Sequence, residues 1–156
     1  MGSLEHVTRV SDLKAWPGEF PVSYLYTMGL AGERFFREIK DQGRFLATHC
    51  SACDYTHLPP ALFCERCFGK LEDWREVGPA GVVRAHTRVH IDLDGRRLEE
   101  PQLLALVQMD GADGLLVHRI EEAPDGIENG QRVTAVFKEP GEREGSILDV
   151  RYFRPV

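Results

Sequence analysis

The sequence predicts a mainly β protein: an N-terminal arm and helix, a small metal-binding module, and a C-terminal barrel of five strands. Three observations predict it. All four cysteines of the 156-residue chain lie between Cys50 and Cys67, in two close pairs. Only one stretch, from Leu30 to Gln42, shows clear helical periodicity. Beyond Gly81 the chain is a series of short apolar runs separated by glycine and proline turns.

Residues 1–29 contain Trp16-Pro17-Gly18 and Phe20-Pro21, which interrupt regular structure and predict an extended arm. With Trp16, Phe20, Tyr24, Leu25 and Tyr26 it carries too much apolar surface to be comfortably solvated. It either wraps its own body or lies against a partner. The helix is expected over residues 30–43. Phe35, Phe36 and Ile39 fall on one side, and Arg34, Arg37, Glu38 and Asp41 on the other. Gly43 supplies a natural stop. Phe35 and Phe36 read as apolar surface offered to another subunit.

Residues 44–77 form the cysteine module. Cys50-Ser-Ala-Cys53 and Cys64-Glu-Arg-Cys67 are two C-x2-C knuckles. Two residues between thiolates let a tight turn aim both sulfurs at one point, and two such turns complete a tetrahedron. The pattern predicts a zinc ribbon in which Cys50, Cys53, Cys64 and Cys67 hold one structural Zn2+; a redox iron would use the same ligands. Four thiolates leave no open coordination position for activating water or substrate. His49 and His57 flank the knuckles, but a complete cysteine set leaves them no ligand position. Leu58-Pro59-Pro60 and Leu62-Phe63, between the knuckles, are expected to cover the site or face the barrel.

Gly78-Pro79-Ala80-Gly81 marks the boundary to the β region, residues 78–156. In the first run Val83, Ala85, Thr87, Val89 and Ile91 alternate with Arg84, His86, Arg88, His90 and Asp92. That period of two predicts a strand with the odd set buried and the even set wet. Asp94-Gly95 signals a hairpin. Further strands are expected at 102–109, 114–120, 131–138 and 146–153, with a longer connection, helical or not, from Glu121 to Gly130. Five such strands suit a Greek-key OB-fold barrel; a β-sandwich fragment is the alternative.

Several function classes recede on composition. The formal net charge is −6, and the longest basic run is Arg96-Arg97, which argues against a nucleic-acid interface as the main function. A single-strand binder would also need aromatics interleaved with cations on exposed strands, and the run from Val83 to Ile91 has none. No apolar run approaches the ~18 residues of a membrane span. The first ten residues lack a signal-peptide core, and the cysteines have metal rather than disulfide spacing, so a cytoplasmic location is expected. With every cysteine assigned to metal, no thiol remains as a nucleophile. His86, His90 and Asp92 read as solvated barrel residues, and Glu99-Glu100 and Glu121-Glu122 as solvated turns.

The order of these parts resembles a known family. It runs through Gly32-Glu33-Arg34-Phe35-Phe36, the knuckles joined by Leu58-Pro59-Pro60, Trp74, and Gly78-x-x-Gly81-x-Val83, and ends on Ser146-Ile147-Leu148-Asp149-Val150-Arg151-Tyr152-Phe153. From about Tyr26 onward the chain looks like the rubredoxin-like zinc-ribbon plus OB-fold proteins of acyl-CoA metabolism. That resemblance implies a non-catalytic accessory subunit of a thiolase-superfamily enzyme; some members accompany hydratases or aldolases. It implies docking through the helix and ribbon (Leu30 to Trp74) and a barrel that helps hold coenzyme A or acyl-CoA shared with the partner. Arg66, Lys70 and Arg88 are then the expected coenzyme A contacts, through charge-assisted bonds to phosphate. An OB-fold protein that binds single-stranded nucleic acid is the competing expectation.

Overall fold

A computed structural model describes Arg9, Ser11 and residues 26–121 and 126–156. The reading of the arm before Tyr26 therefore lies almost wholly outside the described residues. The helix α1 spans Gly29–Gln42 and turns Ala31, Phe35 and Ile39 inward, one position per turn. It ends where Gly43 enters the left-handed region (φ 65). There the Gly43 N–H bonds to the Ile39 carbonyl at 3.1 Å. Arg143 braces the same end, its Nε on the Lys138 carbonyl and its Nη1 reaching the Lys40 carbonyl at 3.5 Å. A cation is favoured at the carbonyl end of a helix.

The helix lies on a three-stranded antiparallel sheet of β1 (Phe45–Cys50), β2 (Tyr55–His57) and β3 (Asp73–Val77), in the order β2-β1-β3. All six residues of β1 are buried, as a central strand packed on both faces requires. The Phe35 ring stacks on Phe45 at 6.2 Å, and Arg34 caps Trp74 of β3 at 4.3 Å. Phe35 is only 2% exposed, and Phe36 is half-buried against the same core. This corrects the expectation that both rings are offered to a partner: Phe35 packs inward, and Phe36 is half covered by the same core. Around the start of the helix, Tyr26, Met28 and Leu30 leave apolar side chains exposed.

The remaining strands, β4 (Ala80–Ile91), β5 (Arg97–Met109), β6 (Leu115–Arg119), β7 (Arg132–Phe137) and β8 (Val150–Pro155), form one sheet in the order β6-β5-β4-β7-β8. A parallel bridge between Ile120 and Phe153 joins its two edges. The Glu121 N–H bonds the Phe153 carbonyl at 2.8 Å. Closure removes both edges, which separates this OB-fold barrel from an open sandwich. One core runs through helix, ribbon and barrel, with Phe35, Ile39, Phe45 and Val77 packed together with Val83, Val107, Met109, Val133 and Phe153. A ribbon this small has no room for a core of its own and borrows the barrel's.

Two details depart from the sequence reading. A register break between Val83 and Ala85 pairs Val83 with Val107 but Ala85 with Leu106. Such a bulge re-aims every later side chain. Beyond Arg84 the even residues His86 and Arg88 therefore share the face of Ala105 and Leu103, the side that lower in the strand is the barrel interior. The odd residues Ala85 and Thr87 share the outer face of Leu106 and Leu104. The even set is exposed as expected, but the expected burial of the odd set holds at Val83 and in part at Val89, whereas Ala85, Thr87 and Ile91 are exposed. The last strand starts at Val150 rather than 146, because Ser146 to Asp149 form a capped 3-10 turn. Asp149 is fully buried and accepts the N–H groups of Glu144, Gly145 and Ser146 at 3.0, 2.7 and 3.1 Å. Burial alone raises its pKa, but these bonds and Lys138 outweigh it and hold the carboxyl below its ordinary value.

Beyond the shared core, hydrogen bonds at Thr56 tie the ribbon to the barrel. Thr56 of β2 donates its N–H to Asp113 Oδ2 at 2.8 Å. Its carbonyl accepts from the N–H groups of Asp113 and Gly114 at 3.0 and 3.1 Å. A Cβ on Gly114 would stand 2.3 Å from the Leu58 carbonyl oxygen, and backbone cannot yield there as a flexible side chain does. Gly114→Ala is expected to destabilise the chain by about 2–3 kcal/mol, an overpacking cost. Equilibrium denaturation checks this; stability equal to the parent would show that the joint has slack.

Candidate metal centre

The four cysteines come from two turns: Cys50 and Cys53 around the end of β1, and Cys64 and Cys67 in the loop that leads to β3. All four sulfurs lie within 4.8 Å of one another. The Cys50 and Cys67 sulfurs are 3.6 Å apart, and those of Cys53 and Cys64 3.9 Å. A tetrahedron with Zn–S of ~2.3 Å has sulfur–sulfur edges of about 3.8 Å, so this cage fits zinc without rearrangement. Cys50 and Cys64 are buried, Cys53 is half-buried and Cys67 is exposed. Leu71 packs with them and Ala61 against them, in a cluster separate from the main core.

Their electrostatics suit a bound cation. Backbone N–H groups of Cys67 and Arg66 aim at Cys64 and, against the opposing effect of burial, pull its thiol down to about 6. Hydrogen bonding with the Cys67 thiol, followed by burial, pushes Cys53 up to about 12. Burial is the main cause that raises Cys50. Four thiolates in so small a volume repel one another, and a divalent ion offsets that repulsion and releases the protons. With every ligand position taken by sulfur, such an ion would be structural.

His49 is not placed to replace a cysteine, since its Nδ1 is 3.1 Å from the Thr56 hydroxyl. His57 is buried with its ring on Tyr55, and its Nε2 has no hydrogen-bond partner among the described residues. Of the residues expected to cover the site or face the barrel, Leu58 joins the core shared with the barrel, whereas Leu62 and Phe63 are exposed. The three cations expected to meet coenzyme A sit on separate elements. Arg66 stacks over Tyr55 at 3.9 Å, and Lys70 pairs with Glu72 at 2.6 Å, both within the ribbon. Arg88 lies on β4, lining a cavity with His86, Thr87, Leu103, Gly126 and Ile127. No helix among the described residues is long and apolar enough to cross a membrane.

A closed cysteine cage on a short sheet, fused through one core to a five-stranded closed barrel, defines a zinc-ribbon plus OB-fold protein. The family comparisons agree with that class. Residues 37–72 match the ChsH2 rubredoxin-like zinc ribbon domain, and residues 74–138 match the ChsH2 C-terminal OB-fold domain. The chain belongs to this ChsH2-type, DUF35 family.

Among its relatives is a DUF35 domain-containing scaffold protein of Methanothermobacter thermautotrophicus, 24% identical over 78% of this chain and 94% of the relative. Another is a probable enoyl-CoA hydratase alpha subunit of Thermomonospora curvata, 29% identical over 78% of this chain but only 36% of that protein. Two solved structures share the fold. A DUF35-family protein of unknown function from Sulfolobus solfataricus is 26% identical, with a TM-score of 0.60 over 81% of this chain and 84% of its own. A chain of an Ltp2-ChsH2(DUF35) aldolase is 27% identical, with a TM-score of 0.56 over 79% and 93%.

Proposed function

We propose that this chain is a non-catalytic scaffold subunit that assembles with an acyl-CoA enzyme of the thiolase superfamily. One observation carries the reading: the metal site built among the described residues is a closed four-sulfur cage, in a family whose members include a named scaffold and proteins named for hydratase and aldolase chemistry. A metal without an open position shapes a surface and performs no reaction. The enzyme subunit supplies the catalytic groups, and this chain supplies contact surface and a wall near the acyl-CoA. Of the three candidate cations, Arg88 is the best supported as a coenzyme A contact, because it shares the strand side of His86 beside a cavity.

The test begins with a tagged full-length chain purified from its native cells, with co-purifying proteins identified by mass spectrometry. An acyl-CoA enzyme is expected at fixed stoichiometry, and its activity should fall when this chain is stripped away and return on re-addition. Arg88→Ala in the complex should raise the apparent KM for acyl-CoA roughly tenfold, the effect of one lost charge-assisted bond. An enzyme equally stable and active alone contradicts the scaffold reading. An unchanged KM removes only the coenzyme A contact.

A further inference from the structure

The four sulfurs of the cage are not equally protected. Cys50 and Cys64 are buried and Cys53 is half-buried, but Cys67 is exposed. Leu71 and Ala61 are the apolar residues packed with the cage, whereas Leu62, Phe63 and Phe68 are exposed. Gly69 opens the way to the exposed sulfur. A Cβ on Gly69 would stand 3.4 Å from Cys67 Sγ, an ordinary contact distance. The backbone does not require glycine there: Gly69 lies outside the left-handed region, and its neighbour Phe68 is the residue that enters it, at φ 59. The missing methyl leaves bare a side of Cys67 Sγ that any other residue at position 69 would cover.

Across the cage stands Cys50 of the other knuckle, with its sulfur 3.6 Å from that of Cys67. Among cysteines held as thiolates, an exposed one meets a small oxidant first. A second sulfur close by then turns the first oxidation product into a reversible disulfide before it advances to an irreversible acid.

We infer that Cys67 is an oxidation site for hydrogen peroxide, and that Cys50 resolves it into a disulfide joining the two knuckles. The Cys67 thiolate attacks one peroxide oxygen; an S–O bond forms, the O–O bond breaks and hydroxide leaves, giving a sulfenic acid. The Cys50 thiolate then attacks the Cys67 sulfur, forming the S–S bond and expelling a second hydroxide. Two protons from solvent convert both hydroxides to water, and the peroxide takes up the two electrons that the sulfurs lose. A cage with two of its four sulfurs joined no longer offers four thiolates, so oxidation undoes the site on which the ribbon depends. This inference concerns the chain by itself and does not rest on the scaffold reading.

The test treats the zinc-loaded full-length chain with hydrogen peroxide, follows zinc release with a coloured chelator and maps the cysteines by peptide mass spectrometry. Dimedone, which traps sulfenic acids, should label Cys67 first, and without it a Cys50–Cys67 disulfide should accompany zinc release. Dithiothreitol with added zinc should restore the metal content and the melting temperature. Gly69→Ala should start with the parent's zinc content and release it at roughly a third of the parent's rate or less, because its methyl covers Cys67 Sγ. Its melting temperature should equal the parent's or rise by ~1–4 °C, as for alanine replacing glycine at a compatible backbone position. Zinc retained under peroxide that oxidises glutathione in the same tube overturns the inference. So does first labelling at another cysteine, a first disulfide from Cys67 to Cys53 or Cys64, or release from Gly69→Ala at the parent's rate.

Discussion

Replacing Cys64 with serine is expected to abolish metal binding and to take much of the fold with it. Structural zinc contributes an apparent ~10–16 kcal/mol to small cysteine modules, as much as the whole net stability of a typical domain. Cys64 is fully buried, and few apolar groups besides Leu71 pack around the cage. The damage does not stay local. The strand that carries Cys50 also places Phe45 and Ala47 in the core shared with helix and barrel. Zinc should drop from about one per chain to under a tenth of that, and the thermal transition should fall by more than ~15 °C. Cys50→Ser and prolonged chelation of the parent should behave alike. A metal-free sample that melts with the parent would defeat this account. A red, iron-bearing sample would change the ion and keep the ligands.

Phe35→Ala is expected to cost about 3–5 kcal/mol, the range for truncating a buried aromatic. The ring contacts Phe45 at 6.2 Å and Phe36 at 5.3 Å, at the point where helix, ribbon and barrel share one core. A smaller loss is expected for Phe36→Ala, whose ring is already half in solvent. Both variants should keep their zinc, because the cage packs in a separate cluster. Urea denaturation alongside metal analysis checks the pair. If Phe35→Ala were as stable as the parent yet lost its enzyme partner, the helix would be presenting its aromatics outward after all.

The metal cage was legible because it depends on local spacing. Two residues between cysteines define a knuckle whatever surrounds it, and a second knuckle completes the set. The same locality made the helix readable from Leu30 and its stop from Gly43. The exposure of Phe63 was not legible: Leu62-Phe63 read as covering the site or facing the barrel, whereas both side chains are exposed, and the left-handed backbone at Phe68 shows only in its φ of 59. A large residue in place of glycine after the second cysteine was the one available signal. The coenzyme A contacts were weaker still, because a surface cation's neighbours come from distant segments, as Tyr55 does for Arg66.

The sequence by itself determined the mainly β class, a complete sulfur ligand set and the absence of a spare thiol nucleophile. Each follows from residue type or from spacing within one turn or strand. Only the tertiary structure decided which side of β4 faces the barrel, since that turns on a register break set by pairing with β5. It alone decided that Phe35 packs inward, because an aromatic helix face can bury against its own sheet or against a partner. It alone closed the barrel, through Ile120 and Phe153, residues that lie far apart in the chain. Periodicity records which residues share a face; what that face meets depends on contacts between distant segments, which local spacing does not encode.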